Sequence, residues 1–231
     1  MIMNYIYFDI ETLPPGDGGH FERIRANTMP PANYKKQETI DKWIAEERDG
    51  IARAAVDKLA LDGTYGSICC IGFAIDDQPV GCVELTDTMD ERSLLLYVFS
   101  QIDSAATDAT NPLPRSLTLV GHNIEFDARF VFQRAVRHGL ALPHSLRAAL
   151  NPVSGHRDQI DIMKLWAGYR GYVKLKDLAR EILADDSTDI DGSEVARMWG
   201  TNPKAVVAHC MADVERVRML HEKINKTLGV V

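Results

Sequence analysis

The stretch Tyr5-Ile6-Tyr7-Phe8-Asp9-Ile10-Glu11-Thr12 constrains the chain more than any other. Side chains alternate faces along a strand, so Ile6, Phe8 and Ile10 point one way and Tyr5, Tyr7, Asp9 and Glu11 the other. Pro14 and Pro15 stop the strand just beyond the acidic pair. Two neighbouring carboxylates repel unless something positive sits between them. A divalent cation answers that need, and hard ions such as magnesium or manganese prefer oxygen ligands. Taken alone, Asp-x-Glu reads first as two solvated strand-end charges. The rest of the chain has to decide.

At 231 residues the chain can bury one sizeable core, with room for an insertion. No apolar run approaches membrane-spanning length, and the start reads as a strand rather than a signal peptide. Cys69, Cys70, Cys82 and Cys210 form no CxxC and no disulfide framework, so reduced thiols and a cytoplasmic location are expected. The net charge of −7 argues against broad wrapping of a nucleic acid. It leaves room for a local phosphate site.

Breakers from Pro14 to Gly19 and at Pro30 and Pro31 predict an irregular loop over 14–36. Ile40, Trp43, Ile44, Ile51, Ala54, Ala55 and Leu59 predict a helix over 38–61. Together, 14–66 reads as a loop-plus-helix insertion in a single domain covering 1–231. Its Arg23, Arg25, Lys35, Lys36 and Lys42 offer either a positive wall or a solvated helix face. A hairpin is expected from Ser67–Ile75 and Val80–Leu85, and a short strand from Leu117 to Val120. Helices are expected over 90–102, 124–138, 174–183 and from Pro203 to about Lys226, with loops over 107–115 and 143–157. Ile160–Leu165 fits a strand or a helix start, and Asp191-Gly192-Ser193-Glu194 resembles a capping box. This order of elements predicts an α/β domain of three layers with a mixed sheet.

Two further acidic constellations stand out. In Gly121-His122-Asn123-Ile124-Glu125-Phe126-Asp127 a strand runs straight into a helix, with Asn123 as the expected cap. Asp127 neighbours Phe130 and Val131 on that helix, so it interrupts an apolar face. It suits either a metal or the positive helix end. On the last helix, Val206, Cys210, Asp213, Val217, Leu220 and Ile224 follow core spacing, and Asp213 takes a slot that calls for an apolar residue. A buried carboxylate needs a partner, here His209 one turn earlier or a metal. His122 is placed in the turn for local hydrogen bonding, and Asp161 at a strand end or loop; Asp158 is a weaker candidate. The commonest signatures for dinucleotide, nucleotide, acyl-transfer and zinc-protease chemistry are absent.

In order, Phe8-Asp9-Ile10-Glu11-Thr12, Asn123-Ile124-Glu125-Phe126-Asp127 and His209-Cys210-Met211-Ala212-Asp213-Val214-Glu215 resemble the three exonuclease motifs of the DEDD, or DnaQ-like, 3′–5′ exonucleases. The likeness is closest to proofreading-type domains of family B DNA polymerases and their stand-alone relatives. Ser67–Ala74 and Asp191–Val195 also look like segments of that group, and no polymerase portion is expected after the third motif. The resemblance implies a ribonuclease-H-like fold. It also implies two divalent cations, Mg2+ or Mn2+, held by Asp9, Glu11, Asp127 and Asp213, and release of nucleoside 5′-monophosphates from a 3′ end. It places Thr12 and Leu13 against the terminal nucleotide, with Asn123 and Phe126 along the cleft. One departure concerns the residue that assists the nucleophilic water. One branch has Tyr four residues before the last Asp, the other His five before it; here His209 stands at the tyrosine spacing. A nucleic acid with a free single-stranded 3′ end, DNA before RNA, is the expected partner. The other readings are a non-catalytic nucleic-acid-binding module and a phosphodiesterase for very short oligonucleotides.

Overall fold

The computed structural model describes residues 5–16, 18–107, 117–150, 159–187 and 190–229. The opening stretch forms β1 (Tyr5–Leu13), flanked on both sides by other strands. β2 (Ser67–Ile75) and β3 (Gly81–Glu84) lie on one side, β4 (Thr118–Gly121) and β5 (Gln159–Asp161) on the other, giving the order β3-β2-β1-β4-β5. β2 and β3 are antiparallel, with Gly72 opposite Cys82. β1 pairs with β4 in parallel, Tyr7 opposite Val120, and β4 with β5 in parallel, Gly121 opposite Asp161. The sheet is therefore mixed, as expected.

Strand alternation divides the core in two. Ile6, Phe8, Ile71 and Leu119 pack against α4 (Glu91–Ala106), α5 (Ile124–His138) and α6 (His144–Leu150). Tyr7, Ala74 and Val120 face α7 (Ile162–Ala167), α8 (Leu175–Leu183) and α10 (Pro203–Leu228). The result is the predicted three-layer arrangement, each fully buried aliphatic or aromatic side chain contributing roughly 1.5–3 kcal/mol. Glu91 ties the first layer together: it accepts from the Ile68 N–H at 2.7 Å, from Arg134 at 2.6 Å, and pairs with His138 at 2.8 Å.

Two compact units divide the chain, Thr12–Ser67 and the remainder. The smaller unit departs from its sequence reading. Residues 18–27 form α1 (Gly18–Asn27) rather than loop, because Gly18 and Gly19 fall at its start, the prolines lie beyond its end, and 20–29 are clear of breakers. The expected single helix over 38–61 is broken at Glu47 into α2 (Gln37–Glu46) and α3 (Arg48–Asp57), followed by a 3-10 turn at Lys58–Leu61. The break turns α3 onto α1, where Arg25 pairs with Asp49 at 2.7 Å and Arg53 lies over the Phe21 ring. Arg25 is thus engaged within its own unit.

Elsewhere the corrections are local. α6 replaces the first half of the loop expected over 143–157; the second half, with Asp158, and most of 107–115 lie outside the described residues. Ile160–Leu165 is strand and helix in turn, because Asp161 ends β5 and caps α7 by accepting from Met163 N and Lys164 N. Asp191 accepts from the Ser193 N–H, but Glu194 pairs with Arg197, so the capping box is half formed. A short helix α9 (Val195–Thr201) follows. No helix among the described residues is long and apolar enough to cross a membrane.

His221 on α10 is 1% exposed and held as a neutral ring. Asn225 Nδ2 donates to Nε2 at 3.0 Å, leaving Nδ1–H for Tyr7 Oη at 3.1 Å. Burial pushes its pKa down to about 4. A depressed histidine contributes stability that is full above the unfolded value near 6.5 and is lost as pH falls toward 4, about 3 kcal/mol at the limit. Urea unfolding at pH 7 and pH 5 is expected to show a smaller loss of stability in His221→Gln than in the wild type.

Candidate metal centre

β1 carries Asp9 and Glu11 on the α10 face, opposite Ile10. β4 is shorter than β1 and ends opposite the middle of it. Beyond that end, Asp127 takes the place of a strand: its Oδ1 accepts from the Ile10 N–H at 3.1 Å. Asp127 is buried one turn into α5, where both the helix N-terminus and this N–H favour its charge. The cap differs from expectation. Asn123 has left-handed backbone angles and makes no side-chain cap bond; its N–H goes to Asp161 instead. His122 also reaches further than its own turn, donating from Nε2 to the Val173 carbonyl at 2.8 Å.

α10 closes the site from above the sheet. Gly72 permits the approach: a Cβ there would stand 2.9 Å from Cys210 Sγ and 3.2 Å from the Cys210 carbonyl oxygen. Cys210 Sγ in turn donates to the Asp9 carbonyl. One residue earlier, His209 Nε2 lies 3.2 Å from Glu11 Oε1 and 3.8 Å from Asp213 Oδ2. The histidine at the four-residue spacing therefore faces two of the carboxylates. Asp213 Oδ1 is held by Arg216 at 2.6 Å, and the same buried guanidinium binds Asp185 and Ser187, each at 2.8 Å. Arg216 was not singled out from sequence, although it lies one helical turn past Asp213. Asp185 and Ser187 carry no sequence signal that ties them to it.

Mutual repulsion shows that the four carboxylates lie close to one another. Burial, then the charges of Asp127, Glu11 and Asp213, hold the Asp9 carboxyl well above its usual range. Asp9 Oδ2 is sealed from solvent and has no hydrogen-bond partner. Burial also raises Asp127, against the opposing pull of the Ile10 N–H. An all-oxygen donor set with a sealed, unpartnered oxygen at its centre fits a hard divalent cation. Among the described residues, the one group whose candidate ligand atoms all lie within 4.8 Å of one another is a different one, Cys70, Cys82 and Cys210. Three thiols suit soft ions, and without an ion they behave as small buried hydrophobes. The hairpin and α10 bring them together, which sequence spacing does not reveal.

Of the remaining sequence candidates, Thr12 is buried, Leu13 is half-buried, and both belong to the Thr12–Ser67 unit. Phe126 packs on the α4–α5 core, its ring 5.7 Å from that of Phe130. Glu125 is exposed and paired with Lys164 and Arg129.

The chain is similar in fold to part of a family B DNA polymerase. The solved polymerase, from the hyperthermophilic archaeon Pyrobaculum calidifontis, superposes with a TM-score of 0.59 at 17% identity. The match covers 97% of this chain and 25% of that one, so the chain spans about a quarter of its structural relative. At this identity the likeness is one of fold. No family model and no curated protein sequence matches.

Because Asp9 is strained as an anion, its folded-state pKa is raised, and the stability it costs grows as pH rises through the carboxylate range. Asp9→Asn removes that charge without removing bulk. In chelator at pH 7 it is expected to raise Tm by a few degrees, the shift that about 1–2 kcal/mol produces in a chain of this size, measurable by calorimetry.

Proposed function

We propose that the chain is a metal-dependent 3′–5′ exonuclease that hydrolyses the last phosphodiester bond of a nucleic-acid strand, DNA before RNA. The observation that carries the reading is Asp9. A half-buried carboxylate with one sealed, unpartnered oxygen, close to the charges of Glu11, Asp127 and Asp213, costs stability unless positive charge is supplied. The ordered motifs and the polymerase-like fold support the same reading.

Asp9, Glu11, Asp127 and Asp213 would hold two divalent cations, Mg2+ or Mn2+. When bound, these supply the charge that stabilises the attacking and leaving oxygens of an in-line displacement. His209, facing Glu11 and Asp213, holds the nucleophilic water and takes its proton. The new bond joins the water oxygen to phosphorus, and the bond to the 3′ oxygen breaks. The products are a nucleoside 5′-monophosphate and a strand shortened by one residue. Arg216 fixes one oxygen of Asp213, leaving the other toward His209.

Single-stranded oligonucleotides labelled at the 5′ end, with manganese or with chelator, test the reading. Stepwise shortening with manganese only is expected, with His209→Ala slowed by about 100-fold, in the range of general acid–base contributions, and Asp213→Ala slower still. Full metal-dependent activity in Asp213→Ala would overturn the site. Binding without any loss of length would favour a non-catalytic module, and cleavage of dinucleotides alone a short-oligonucleotide phosphodiesterase. Manganese is also expected to raise Tm in the wild type and to do so less in Asp9→Asn.

A further inference from the structure

The segment Lys164-Leu165-Trp166-Ala167-Gly168-Tyr169-Arg170-Gly171-Tyr172-Val173-Lys174 has no role in the site described above. Three of its rings are largely in solvent: Trp166 is 50% exposed, Tyr169 76% and Tyr172 73%. Large rings are normally buried, so three within seven residues ask for a partner. They are not displayed on a loose loop. Gly171 is pressed so closely against the end of α7 that a Cβ there would stand 2.0 Å from the Ala167 carbonyl oxygen. Its N–H donates to the Gly168 carbonyl, and the Gly168 N–H to that of Lys164. This closure brings the Ala167 and Gly171 backbones together, with Tyr169 and Arg170 in the turn between Gly168 and Gly171.

Position and charge say what the partner is. α7 starts from Asp161 at the end of β5, and the segment's far end is tied by Val173 to His122, just past the end of β4. β4 and β5 run parallel to β1, so the turn sits at the same end of the sheet as Asp9 and Glu11. Cations alternate with the rings. Lys164 is committed to Glu125 and Asp161, but Arg170 and Lys174 are exposed and form no ion pair among the described residues. Rings interleaved with unpaired cations, beside a site for phosphate chemistry, match single-stranded nucleic acid: bases stack on the rings while the cations follow the backbone.

We propose that Trp166, Tyr169 and Tyr172, with Arg170 and Lys174, form a stacking platform for the single strand that leads to the carboxylate site. The proposal rests on the exonuclease reading for its direction, and its test is separate from catalysis. Fluorescence anisotropy of a labelled oligothymidylate of about 20 nucleotides, in chelator, measures binding without hydrolysis. Replacing all three rings by Ala is expected to weaken binding by about 100-fold, the low end of base–aromatic stacking taken over three rings. A triple Phe variant, which keeps the rings, is expected to stay within about threefold of wild type. Arg170→Gln is expected to flatten the salt dependence. Unchanged affinity in the Ala variant, equal loss in the Phe variant, or no binding by the wild type overturns the platform. Stepwise shortening of the same oligothymidylate by the wild type with manganese, run in parallel, tells whether the exonuclease reading stands or falls with it. Circular dichroism melts check that the surface variants fold.

Discussion

Like-charge repulsion around Asp9 is the constraint on which the structure's arrangement depends. Four carboxylates converge on one end of a central strand, and none is free to turn away without cost. Asp9 is fixed by its place in the sheet, Asp127 by the Ile10 N–H, Glu11 by the same strand, and Asp213 by Arg216. Each is pinned by a contact that would be ordinary elsewhere. Together they hold negative charge in a place that water reaches only in part, and that concentration works against stability.

Much of this was legible because strand and helix periods are strict. Alternation in Tyr5–Thr12 separates the two core faces, and the split between Ile6 and Tyr7 follows it. The three-four spacing on the last helix marked Asp213 as an intruder in an apolar stripe. The unread parts depend on distance in sequence. Arg216 needed only the rule of one helical turn, but its anchors at Asp185 and Ser187 are set by a loop with no period. The thiol group draws on a hairpin and a helix more than 120 residues away, a pairing that no local pattern encodes.

Helix boundaries in the smaller unit failed for a related reason. The glycines and prolines of 14–36 cluster at the edges and leave a helix between them, so their number overstates the loop. Likewise, apolar spacing over 38–61 is compatible with one straight helix, and nothing in it records that α3 must turn at Glu47 to lie on α1. Periodicity reports which face is buried; it does not report against what.

Gly72 carries no chemistry, yet it sets the height of the whole site. Because the helix above it rests on bare backbone, His209 and Asp213 stand at their distance from the sheet only while that position lacks a side chain. Tolerance to substitution should therefore run opposite to chemical importance. Replacing Asp9 removes a repelling charge, while one methyl group added at Gly72 must push against Cys210 and Val214 on the helix that also carries His209 and Asp213.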